Sequence, residues 1–353
     1  MRVGLMHPEQ DFVPPPEVPR QRNFRDSDAG PAHAMSVPEA AAWVDLELDT
    51  LAGAMANGDR YLFDVARKAF VLGIGNDLET IRYRQEVLRD CLANAEVARE
   101  MHALVEETIE AKKKHYFGVL TRYPTGILRG AVELMRVLLD ALRRLRRLAD
   151  QHANRFESQG FKTLLGMLQR EFSDDYLARV ERHLAELKFR SGLLLSARLG
   201  ENNESTGYVL RREPDRRPGW LKRFLHRAPR AYSFRLHERD EAGARILSEL
   251  HDRGINLVAN ALAQSTEHVL SFFLVLRLEL SFHIGCLNLH DRLVAIEAHV
   301  CFPRPEARGT RRLHFAGLRD PCLALQMDRA PVANDVGADG CDLVIITGAN
   351  QGG

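Results

Sequence analysis

The sequence predicts a mainly α-helical protein with a small β insertion and, toward its C-terminal end, the first strands of an α/β domain. Three observations predict it. Two long stretches, Ser36 to Phe189 and Arg239 to Leu293, carry apolar residues at helical spacing. Between them, Gly192–Leu199, Tyr208–Arg212 and Ala231–His237 read as short strands, with Glu201–Gly207 as a turn. Finally, the apolar, β-branched run Leu343–Ile346 reads as a buried strand feeding directly into Gly348-Ala-Asn-Gln-Gly-Gly353.

Taken in order, residues 1–35 form a flexible, proline-rich arm with Pro14-Pro15-Pro16 and Pro19. Residues 36–190 are a helical core with the first long helices. Ser36-Val-Pro-Glu39 is a capping box with proline in the first turn, which predicts a helix ending at Asn57-Gly58. A second helix runs from Asp59 to about Leu72. A third is capped by Asn76-Asp-Leu-Glu79 and carries Leu78, Ile81, Leu88 and Leu92. From Gly126 to about Phe156 a long helix presents Leu128, Val132, Met135, Leu139, Leu142, Leu145 and Ala149 on one face. Arg143-Arg144 and Arg146-Arg147 lie on the other, a solvated face by default. Phe161–Phe172 and Asp174–Phe189 complete this region. Residues 191–238 are the β-rich insertion, and 239–295 return to helix. About 50 helical residues would span roughly 75–80 Å, a lever length. Val269 to Leu293 is apolar nearly all round and predicts a core position. A weak strand-like segment, Leu293–Phe302, opens the last region, 296–353.

Composition bounds the function. Formal charge is +1, so nucleic-acid binding needs a local basic patch. The insertion supplies one: Arg211, Arg212, Arg216, Arg217, Lys222, Arg223, Arg227, Arg230, Arg235 and Arg239 stand against Glu213, Asp215 and Glu238, with Trp220 and Phe224 interleaved. Arginine's planar fork suits sequence-independent contact with the phosphates of a duplex. The five cysteines are scattered with no Cys-x-x-Cys, which fits a reducing cytoplasm. The N-terminus has no apolar signal core, and the longest apolar run, Val269–Leu276, is too short to span a bilayer. A soluble cytoplasmic protein is expected. His283, Cys286 and His290 share a helix face, but their apolar surroundings favour core packing over a metal site.

Gly348-Ala349-Asn350-Gln351-Gly352-Gly353 matches the first six positions of a phosphate-binding loop, whose glycines let backbone N–H groups close on phosphate oxygens. With Thr347 in front, the wording resembles the phosphate loop of the MutS family of DNA mismatch-repair ATPases. Pro331-Val-Ala-Asn-Asp-Val336 resembles that family's segment beside the adenine, Arg319-Asp320-Pro321 its Arg-His-Pro, and Phe302-Pro-Arg-Pro305 its Tyr-x-Arg-Pro. Asp77-x-x-x-Ile81-x-x-Arg84-Gln85 is similar to the signature of its core domain.

The resemblance implies a MutS-like DNA-binding protein of mismatch repair. The insertion stands in the place of the family's DNA clamp, its DNA-backbone residues being Arg211, Arg212, Arg216, Arg217, Lys222, Arg223, Arg227 and Arg230. It also implies ATP with Mg²⁺ as cofactor, phosphates at Gly348–Gly353 and adenine beside Val332 and Asn334, with double-stranded DNA, a homodimer mate and repair proteins as partners. Three departures qualify it. No Phe-x-Glu mismatch wedge is present, so a relative lacking the mismatch-reading domain is expected. Pro331 replaces an aromatic. The sequence ends before the loop's lysine and Ser/Thr, so the expectation is a fragment cut within the loop that hydrolyses no ATP alone. Two other readings are a non-catalytic helical scaffold that binds proteins and a different P-loop ATPase with helical arms.

Overall fold

The computed structural model describes residues 1–8, 37–72, 77–115, 123–189, 192–200, 205–211, 240–307 and 309–345. These residues form ten α-helices and two small antiparallel sheets, each of two strands. The chain divides into two compact units. One comprises Met1–Ile109, Ala141–Ser173 and Ser271–Gly353, the other Glu110–Asp140 and Asp174–Leu270.

The first unit opens with α1 (Val37–Asp45), α2 (Leu48–Ala56) and α3 (Arg60–Leu72). The single helix expected from Ser36 to Asn57 is therefore two. Glu47 breaks it in the left-handed region at φ 49°, at a turn that Cys322 contacts. The carbonyls of Leu46 and Glu47 accept the Cys322 thiol at 3.5 and 3.6 Å. Helix α4 (Leu78–Ala93) starts at Asp77, whose carboxylate accepts Thr80 N at 2.7 Å. That backbone hydrogen bond holds the Asp77 carboxyl below its usual range. Helix α5 (Ala95–His115) buries Val97, Met101, Leu104, Val105 and Ile109 at helical spacing. Helix α6 (Pro124–His152) buries all seven apolar positions read from the sequence. On its polar side Arg144 pairs with Glu107 at 2.8 Å. Helix α7 (Gln159–Glu171) is tied to α4 by Asp90, whose buried carboxylate accepts Glu157 N at 3.0 Å and Ser158 N at 2.8 Å.

The second unit contains α8 (Asp174–Glu186) and the strands β1 (Leu194–Leu199) and β2 (Ser205–Arg211), paired antiparallel from Leu194 opposite Arg211 to Leu199 opposite Ser205. The third expected strand, Ala231–His237, lies outside the described residues.

Helix α9 (Glu241–Ala295) runs unbroken for 55 residues through three glycines. Two of them have a packing reason that offsets the roughly 1 kcal/mol cost of glycine in a helix. A Cβ on Gly285 would lie 3.1 Å from Met55 in the first unit, and one on Gly254 only 2.4 Å from Leu195 in the second. As expected, Val269–Leu293 supplies much core, including Phe272, Phe273, Leu276, Leu280, Ile284 and Leu287. Among the described helices, α9 is long and apolar enough to cross a bilayer by length and composition. Of its most apolar 18-residue window 67% is buried inside the fold, as in a core helix.

The strand expected over Leu293–Phe302 does not form. Helix α9 continues to Ala295 and closes in a Schellman turn, with Ala298 N bonded to Leu293 O at 2.9 Å and Glu297 N to Val294 O at 3.0 Å. Glu297 takes the left-handed position at φ 58°, where glycine is the usual signal. Beyond it, β3 (His314–Leu318) and β4 (Asn334–Gly337) pair antiparallel, with α10 (Pro321–Met327) between them in sequence. Leu343–Ile345 is not a strand either. All three side chains are exposed, and no strand pairs with them among the described residues.

Candidate functional site

Two pairs of the motif segments meet in the first unit. The α4 motif meets the Phe302–Pro305 segment through Gln85, whose Nε2 donates to Pro303 O at 2.9 Å. One turn further on, the Arg89 guanidinium lies 4.5 Å from the centroid of the Phe302 ring. The two segments border an open groove of about 580 Å³, lined by Arg82, Arg89 and Arg304, by Glu86 and Glu306, and by Phe302, Pro303 and Pro305. Arg84, on the other side of the helix, donates from Nε to Met6 O at 2.7 Å. Burial lowers its pKa, and the charge of Glu279 opposes that shift.

The second pair joins Arg319-Asp-Pro321 to Pro331–Val336. Arg319 Nε donates to Pro331 O at 3.1 Å. Asp320 is the N-cap of α10, accepting Cys322 N at 2.8 Å and Leu323 N at 3.1 Å, with Pro321 in the first turn where no N–H is needed. Asp335 accepts Gly317 N at 2.5 Å, where β3 shifts register and Gly317 takes φ 67°. That carboxylate thus satisfies an amide the ladder leaves over. The expected adenine-side residues sit on this hairpin. Val332 is 81% exposed, and Asn334 begins β4 opposite Leu318.

The phosphate-side residues Gly348, Ala349, Asn350, Gln351, Gly352 and Gly353 lie outside the described residues. So do Arg212, Arg216, Arg217, Lys222, Arg223, Arg227 and Arg230 of the basic insertion. Arg211 is described: it ends β2, with Nε donating to Ser196 Oγ across the pair at 2.9 Å.

Two polar arrangements in the first unit were not among the residues read as functional. The first seats residues 1–8, which composition places in a flexible arm. Val3, Leu5 and Met6 are buried. Tyr83 donates its hydroxyl to Gly4 O at 2.5 Å, and the buried Glu279 carboxylate accepts Leu5 N at 2.5 Å and Met6 N at 3.2 Å. The apolar Val3-x-Leu5-Met6 pattern was the available signal. The second is a partly buried network in which Arg277 Nε donates to Glu106 at 2.6 Å and the guanidinium lies 3.6 Å from the Tyr61 ring centroid. His102 contacts Ser281 Oγ at 2.9 Å, and burial lowers its pKa against the pull of Glu106.

His283 is fully enclosed, and burial pushes its pKa down to about 4 against the opposing pull of the Leu5 backbone. No group of three or more His, Cys, Asp or Glu among the described residues is placed to hold a metal ion.

Helices thus flank a small β insertion, and the motif segments meet in pairs. A family model, described as the MutS2 N-terminal domain, matches residues 76–296, from the cap of α4 to the end of α9. The match covers more than half of the chain, and the chain belongs to that family. No curated protein and no solved structure matches it.

Proposed function

We propose that this member of the MutS2 N-terminal domain family is a soluble, cytoplasmic DNA-binding protein of the mismatch-repair ATPase type. It grips the phosphates of duplex DNA through the basic insertion from Arg211 to Arg230. The observation that carries this reading is the meeting of two motifs that lie 218 residues apart in sequence, through the bond from Gln85 to Pro303. Nearer along the chain, Arg319 bonds to Pro331. Such bonds are expected if the segments are parts of one machine rather than chance matches. The arginine-rich composition of the insertion supports the DNA end of the reading. The wording of Thr347–Gly353, after the exposed Val332 and the hairpin residue Asn334, supports kinship with ATPases that take ATP with Mg²⁺ as homodimers, without stable ATP binding by these 353 residues alone.

The test is charge removal in the insertion. Replacing Arg216, Arg217, Lys222 and Arg223 together by alanine is expected to weaken binding of a 20-base-pair duplex about tenfold or more at low salt, uniformly across sequences. Unchanged duplex affinity in that variant would overturn the clamp assignment. Oligomers that ignore DNA altogether would favour a protein-binding scaffold.

A further inference from the structure

The groove between α4 and the Phe302–Pro305 segment is lined by residues other than those read as DNA-backbone or phosphate-loop residues. Its charge is unbalanced. Arg82, Arg89 and Arg304 line it, against Glu86 and Glu306. Glu306 is engaged by Arg312 at 3.6 Å, which leaves two positive charges in excess. Arg82 and Arg304 have no ion-pair partner among the described residues, and Arg89 is held over the Phe302 ring rather than by a carboxylate.

Guanidinium forks suit phosphate oxygens, and an excess of two charges matches a phosphate monoester better than a carboxylate or a bridging phosphodiester. A volume of about 580 Å³ exceeds what a phosphate alone fills and lies in the range of small-ligand sites. The Phe302 ring and the flanking Pro303 and Pro305 provide an apolar wall for the body that carries the phosphate. Gln85, by bonding to Pro303 O, fixes that wall against α4.

We propose that this groove binds the terminal phosphate of a nucleotide, supplied either by the 5′-phosphorylated end of a nucleic-acid strand or by a free mononucleotide. Arg82, Arg89 and Arg304 hold the phosphate, and Phe302 packs against the nucleoside. The site goes beyond the clamp reading and does not depend on it.

The test compares four probes on the 353-residue chain at low salt by titration calorimetry and fluorescence anisotropy: a 12-nucleotide single strand with a 5′-phosphate, the same strand with a 5′-hydroxyl, AMP and adenosine. The phosphorylated member of at least one pair is expected to bind about tenfold more tightly, the scale of losing one charge-assisted contact. Preference within the strand pair identifies a strand end as the source, and preference for AMP alone identifies a free nucleotide. In the Arg82→Ala/Arg89→Ala/Arg304→Ala variant the preference disappears. If circular dichroism shows that losing Arg89 from Phe302 disturbs the fold, the Arg82→Ala/Arg304→Ala pair carries the test, with the preference sharply reduced. The Arg216→Ala/Arg217→Ala variant should weaken both strands alike and leave the preference intact, so failure of the clamp and failure of the groove read out separately. Equal binding within both pairs, or a preference that survives removal of the groove arginines, would overturn the proposal.

Discussion

Replacing Glu279 by alanine should destabilise the first unit by about 3–5 kcal/mol, and the cost should depend on the N-terminal segment. The Glu279 carboxylate is fully buried in α9 and accepts two main-chain amides, from Leu5 at 2.5 Å and Met6 at 3.2 Å. A hydrogen bond to a charged acceptor contributes about 1.5–3 kcal/mol, and deleting the acceptor leaves both amides buried without one. Tyr83 and Arg84 donate to the carbonyls of Gly4 and Met6 and do not serve those amides. The assay is urea unfolding followed by far-ultraviolet circular dichroism on four chains: wild type, Glu279→Ala, a chain lacking residues 1–7, and the combination. Once the segment is gone the substitution has no amides to orphan, so its cost should fall to what the charge of Glu279 beside Arg84 still contributes. The expected coupling is at least about 2 kcal/mol. Effects that add to within about 0.5 kcal/mol would refute the view that this carboxylate exists to seat residues 1–8.

Two further predictions concern titratable groups. Burial pushes the Cys91 thiol well above its ordinary value and that of Cys286 up to about 12, whereas Cys301 and Cys341 are exposed. At pH 8 a disulfide reagent should therefore label Cys301 and Cys341 in a fast phase, the half-buried Cys286 slowly, and the buried Cys91 only on unfolding; the Cys301→Ala/Cys341→Ala variant should lose the fast phase. His283 is held at about 4 against an ordinary 6.5, so the unfolded chain binds the extra proton between those values. Stability contributed by neutral His283 is full above about pH 6.5 and is lost as pH falls toward 4, a total on the order of 3 kcal/mol. Thermal unfolding of His283→Leu across that window should show a flatter pH dependence than wild type.

The helical part was legible where side chains alone decide. The apolar stripe of α6 and the buried half of α9 follow helical spacing, and the core formed where that spacing put it. Helix α5 carries the same signal in Val97, Met101, Leu104, Val105 and Ile109. What the sequence hid depends on contacts distant in the chain. Glu47 breaks α1 from α2 at a turn whose carbonyls the Cys322 thiol meets from α10, and nothing near Glu47 announces it. The Schellman turn after α9 uses Glu297 where glycine would have marked the stop, so Leu293–Phe302 looked like a strand. Leu343–Ile345 has strand composition, yet a strand needs a neighbour to bond with, and residue type alone does not provide one. For the site, the motif order was readable, whereas the pairing of Gln85 with Pro303 and the charge imbalance of the groove needed the fold.

The account's central claim is that the chain holds DNA through phosphate contacts made by its basic insertion, and the salt dependence of duplex binding tests it most directly. Ten Lys and Arg residues lie between Arg211 and Arg239. If about half of them meet phosphates, log Kd should rise with log salt concentration at a slope of roughly 4 to 5. The affinity should be measurable near 50 mM salt and fall several-hundred-fold by 200 mM. A slope near zero, or no duplex binding even at the lowest ionic strength, would contradict the claim.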